Sequence, residues 1–251
     1  MGAAKRAQKG TMTEDKKNTE LDFLSKLANP VGRRSVLKWS GIAIGVLIAG
    51  CGGDGDDNNS SQEGAPLAPN ELGAGDTGVL NYAYALEQLE AAFYQQVIAS
   101  PYRGMSAAEL QILTDIRDHE VIHRDFFKAA LGENAIGDLE VTFLAVDFSS
   151  RQSVLTTART FEDLGVSAYN GAARLIQDPE NLRIAAKIVS VEARHAAVIR
   201  DLLSPRSAAF AGDDVVARDT GLDQQRAPSA VLALADPFIV TAVDAGRLPQ
   251  N

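Results

Sequence analysis

The chain is poor in residues that usually advertise chemistry: of 251 residues, one is cysteine, one tryptophan and three histidine. A single cysteine excludes an intrachain disulfide framework. Long hydrophobic runs are also missing. The most apolar stretch, Trp39 to Gly50, has twelve residues; as a helix it would rise ~18 Å, short of the ~30 Å hydrocarbon core. Positive charge is scarce after that point. Nine Lys/Arg stand against four Asp/Glu before Cys51, and fifteen against twenty-nine from there on, within an overall charge of −9. An acidic body argues against nucleic acid as a partner. The apolar share of 45% still permits a real core in one or two domains.

What the first fifty residues do have is an address pattern. Arg33 and Arg34, followed by Lys38, precede the apolar run, and Ile48-Ala49-Gly50-Cys51 closes it. The run looks like a twin-arginine export signal, and its end resembles a lipoprotein-processing box in which Cys51 is acylated. The alternative is an uncleaved N-terminal anchor around a buried cysteine. Residues 1–50 are therefore expected to be a signal peptide. Residues 51–75, rich in Gly, Asp, Asn, Ser and Pro, are expected to be a flexible tether. Such a protein would be exported and lipid-anchored at the cell envelope, on the periplasmic side or the outer face of the cytoplasmic membrane, with the membrane as its partner.

The body carries one spacing twice. Glu87 is followed seven residues on by Tyr94, and later by Glu120-x-x-His123; Glu162 is followed seven residues on by Tyr169, and later by Glu192-x-x-His195. Glu162 lies 75 residues after Glu87, and the second Glu-x-x-His lies 72 after the first. A Glu from each of two helices meeting a Glu-x-x-His from each of two others is the ligand pattern of a dinuclear metal centre in a four-helix bundle.

Apolar periodicity and capping signals predict four helices over residues 76–204: about Thr77 to Ala99, Ser106 to Leu131, Ser150 to Gln177 and Pro179 to Leu203. In each, the polar exceptions fall on the face that should be buried. Isolated buried carboxylates would be costly or protonated; four of them opposite two divalent cations balance charge, with imidazoles completing the shell. The link from Gly132 to Ser149 could span ~60 Å when stretched, against ~39 Å for a 26-residue helix, so it can cross the whole bundle. Two hairpins joined by one long crossover give an all-α, ferritin-like antiparallel four-helix arrangement. Residues 205–251 form a C-terminal extension, with a short helix expected over Pro228 to Ala235 and placed over one end of the bundle.

The stretch from about Val79 to Leu203 resembles the ferritin-like superfamily, particularly the branch of desiccation-related proteins and bacterial relatives. Phe161-Glu162-Asp163-Leu164-Gly165-Val166-Ser167-Ala168-Tyr169 and Val191-Glu192-Ala193-Arg194-His195-Ala196 carry the likeness. The resemblance implies Glu87 and Glu162 as terminal ligands, Glu120 and Glu192 as bridging carboxylates, and His123 and His195 as one nitrogen ligand per metal. It also implies two iron or manganese ions and redox chemistry with dioxygen or peroxide, of the ferroxidase or oxidase kind or peroxide decomposition. A monomer or dimer suits an anchored chain better than a storage shell.

Competing readings stay open at this point. Glu90 rivals Glu87, since three residues apart they point to similar faces, but only Glu87 reproduces the step to tyrosine. Tyr94 and Tyr169 are either hydrogen-bond donors to the ligating carboxylates or ordinary core. His119 falls one position off the ligand face. Gly165 leaves room either for a small oxidant or for close helix approach. His119-Glu120-Val121-Ile122-His123 also matches the H-E-x-x-H helix of zinc peptidases, though that reading leaves the second Glu-x-x-His unexplained. A vestigial centre in a non-catalytic, membrane-tethered protective or binding module is the remaining alternative.

Overall fold

The computed structural model describes residues 70–249. Arg33, Arg34, Cys51, the expected signal and the tether up to residue 69 lie outside the described residues. Within them the element order is α1 (Gly75–Ala99), α2 (Ala107–Leu131), α3 (Arg151–Ala172), α4 (Pro179–Leu203) and α5 (Pro228–Ala235), with short 3-10 turns between. No strand occurs among the described residues, only isolated bridges such as Val141 with Ile239.

Local chemistry sets the helix ends. Ser106 and Glu109 form a complete capping box at the start of α2, and Gly132 closes it with φ of 56°. Ser150 caps α3 and Asp178 caps α4, where Pro179 takes the first turn. α3 ends at Ala172, earlier than the predicted Gln177. Asp178 must be extended as the cap preceding a proline, and Asp76 on α1 binds the backbone N–H groups of Gln177 and Asp178 at 2.7 and 2.9 Å. The last turn therefore tightens to 3-10 over Ala173–Leu175.

The helices pair as two antiparallel hairpins, α1 with α2 and α3 with α4. Arg151 at the start of α3 reaches Glu109 at the start of α2 and the carbonyl of Leu202 at the end of α4. α2 and α3 thus begin at the same end, and the crossover traverses the bundle. It does so along α1. Asn81 accepts from Ile136 N and donates to Asn134 O, and about two turns further on Gln88 accepts from Leu139 N and donates to Gly137 O. With the crossover over its outer side, α1 is buried on nearly every face. Phe93, Phe143, Phe148 and Phe161 pack edge-on or tilted at 5.1 to 6.4 Å, and Phe238 closes on Phe161 at 4.8 Å.

Two expectations change. The tether does not reach Gly75: Leu72 is fully buried, its carbonyl accepts from Asn81, and its N–H donates to Asp244 O. The C-terminal extension lies along the side of the bundle rather than over one end, because its polar anchors are spread along α3 and α4. Arg200 of α4 forks to Asp163 and Asp214 and donates to Ala209 O. Arg226 donates its N–H and its guanidinium to Ser167, while Phe238 and Val240 meet the crossover at Thr142 and Glu140. Gly171 admits the Arg226 carbonyl so closely that any Cβ there would overlap it. The substitution Gly171→Ala is expected to cost ~1–3 kcal/mol and to expose residues 205–249 to protease while the four helices persist; thermal melting and limited proteolysis check this.

Candidate metal centre

Each of the four long helices sends its exceptional residues to one point. Glu87 from α1, Glu120 from α2, Glu162 from α3 and Glu192 from α4 are completely buried. Two groups of ligand atoms result, each lying within 4.8 Å: Glu87, Glu120, His123 and Glu192; and Glu120, Glu162, Glu192 and His195. All six residues singled out by spacing come together, and Glu120 and Glu192 are common to both groups.

The atom pattern is divided evenly. His123 Nδ1 lies 3.5 Å from Glu87 Oε2, 3.7 Å from Glu120 Oε2 and 2.9 Å from Glu192 Oε1. His195 Nδ1 lies 2.8 Å from Glu120 Oε1, 3.5 Å from Glu162 Oε2 and 3.4 Å from Glu192 Oε2. Each shared glutamate therefore offers one oxygen to each group. These eight atoms are buried and none has a hydrogen-bond partner; close as some are, they converge side by side without the angles of a hydrogen bond. Such a set has to be neutralised by protons or by cations. The remaining oxygens of the outer glutamates are satisfied crosswise: Tyr94 donates to Glu162 Oε1 and Tyr169 to Glu87 Oε1, both at 2.5 Å. The tyrosines are both buried core and hydrogen-bond donors. Burial and the facing carboxylates hold their hydroxyls protonated.

Glu90 belongs to neither group. It is buried, and burial together with the charges of Glu120, Glu192, Glu162 and Glu87 keeps its carboxyl neutral well above the usual range. The 75-residue offset that maps Glu87 on Glu162 maps Glu90 on Gly165. A Cβ at Gly165 would stand 3.1 Å from Glu90 Oε1, so the glycine makes room for this single carboxyl. His119 does not join His123 around one ion; its Nδ1 meets His195 Nε2 at 2.9 Å. The two histidines of H-E-x-x-H thus diverge, unlike those of a peptidase site.

A buried antiparallel bundle with one long crossover, holding a paired carboxylate and imidazole cluster, defines the ferritin-like class and is compatible with a dinuclear metal site. The family profile described as a ferritin-like domain matches residues 75–205, a little over half of the chain, and the protein belongs to that family. No curated protein matches the chain significantly.

Without a cation the cluster holds protons instead. Burial, partly opposed by His195, lifts Glu162 to about 7, and burial with the Glu192 charge lifts Glu120 well above the carboxylate range. Burial would also raise Glu192, but the two imidazoles outweigh it and bring it to about 2. Burial disfavours the charged form of His123, yet Glu87, Glu120 and Glu192 push it up to about 12. A metal must displace the imidazole protons at any neutral pH, and the Glu162 proton below about 7. Calorimetric titration with Mn(II) in buffers of different ionisation enthalpy should show net proton release. Affinity should fall ~10-fold per pH unit for each proton displaced, most steeply below Glu162's value.

Proposed function

We propose that the domain binds two iron or manganese ions, which Glu120 and Glu192, common to both groups, would help to hold, and that the centre reacts with dioxygen or peroxide. The eight buried ligand atoms without partners, four per group, carry this reading. Oxygen and imidazole donors suit both metals. When bound, a pair of redox-active ions would supply or accept the electrons exchanged with an O–O bond.

The chain's residues set the surroundings for that exchange. Glu120 and Glu192 would contribute to both positions, each with one oxygen on either side. Tyr94 and Tyr169 fix the outer glutamates and fix them across hairpins. Phe93 lies against Tyr94 and against Phe161, and these buried rings keep bulk water from that side. On the same reading the domain is an exported protein tethered through acylated Cys51 after a signal containing Arg33 and Arg34, acting as a monomer or dimer on a small oxidant. Among the described residues no helix is long and apolar enough to cross a membrane.

Elemental analysis of purified protein should give two irons or manganese per chain, and the metal-loaded protein should consume peroxide or dioxygen. The double variant Glu120→Ala, Glu192→Ala should lose both ions and the reaction. One zinc per chain, or full metal loss with an unchanged cellular effect, would instead favour the hydrolytic or the non-catalytic alternative. For the anchor, Cys51→Ala should abolish incorporation of labelled palmitate and release the protein from the membrane fraction.

A further inference from the structure

The two halves of the cluster match each other almost residue for residue, and where they fail to match is informative. The offset of 72 that carries Glu120 onto Glu192 and His123 onto His195 carries His119 onto Val191. His119 Nδ1 lies 2.9 Å from His195 Nε2, with ring planes within 10° and centroids 5.2 Å apart. At that nitrogen separation a centroid distance so long requires the rings to lie end to end in almost one plane. This is the geometry of an in-plane N–H···N hydrogen bond and not of face-to-face stacking.

His195 turns its other nitrogen, Nδ1, to Glu120, Glu162 and Glu192. A ring that gives its Nδ1 lone pair to a cation carries its proton on Nε2, and here that proton has an acceptor waiting in His119. His119 is exposed, so two imidazoles in series join this group of ligands to solvent. The counterpart of His119 on the His123 side is Val191, whose side chain has no acceptor.

We propose that His119 is a positioning residue that makes the two metal positions unequal, by fixing His195 as an Nδ1 ligand while His123 has no matching histidine. The inference rests on the dinuclear reading above. The position bounded by Glu162 and His195 is the tighter of the two, and the Glu87 and His123 position the weaker.

Chelator competition with Mn(II) alone, on the full chain, tests this. Wild type should bind two ions in unequal steps. His119→Val, which copies the residue on the other side, should weaken one ion by ~10–100-fold and leave the other unchanged. His119→Asn, whose Oδ1 stands near the original Nδ1, should recover most of the loss. Val191→His should strengthen the weaker ion, a gain that no loss of folding can mimic. In the Zn(II)-loaded protein the His195 Nε2 proton should exchange slowly with solvent in wild type and His119→Asn, and rapidly in His119→Val. If His119→Val binds both ions as wild type does, the positioning role is overturned and the dinuclear reading stands. If wild type takes up fewer than two ions, the dinuclear reading falls and this inference with it.

Discussion

Four carboxylates and two imidazoles share one water-poor interior, and the rest of the domain is arranged around that constraint. Each glutamate is fully buried, and no packing of apolar neighbours alone could make the set tolerable. The fold answers partly with internal donors: each outer glutamate receives a tyrosine hydroxyl from the opposite hairpin. The shared glutamates receive nothing, and their four oxygens face the two histidines. Neutralisation has to come from protons or from cations, and the even division of ligand atoms fits cations.

The convergence of these six residues was legible in the sequence because their spacing is a helical property stated twice. Glu-x-x-His puts two donors on one face of a helix, and the repeated seven-residue step from glutamate to tyrosine marks both outer positions. The crossover was legible from length alone. Three features were not. The Asn81 and Gln88 clamps on the crossover join residues 49 to 55 apart, and a hydrogen bond between distant segments leaves no periodic trace. The same holds for the tail, whose route over α3 depends on Arg200, Arg226 and the close approach at Gly171. Leu72 sits in a stretch whose composition says tether, and its hydrogen bonds to Asp244 and Asn81 hold it in the core.

The internal repeat also explains where symmetry stops. Glu87 and Glu162, Tyr94 and Tyr169, and the two Glu-x-x-His pairs occupy equivalent places in the two halves. Glu90 and Gly165 are not: a second carboxyl opposite the first would collide with it, so one half keeps the acid and the other keeps the space. The two offsets pair Gly165 with Glu90, and His119 with Val191, in the sequence itself.

The distribution of donors over the hairpins has a consequence for biosynthesis. Glu87, Glu120 and His123 belong to the first hairpin and lack Glu192; Glu162, Glu192 and His195 belong to the second and lack Glu120. Each hairpin alone presents three of the four residues of one group and completes neither. On the dinuclear reading proposed above, tight loading would wait for the later-made half, and the ions would act as a clasp that closes last and records that both hairpins have met in register.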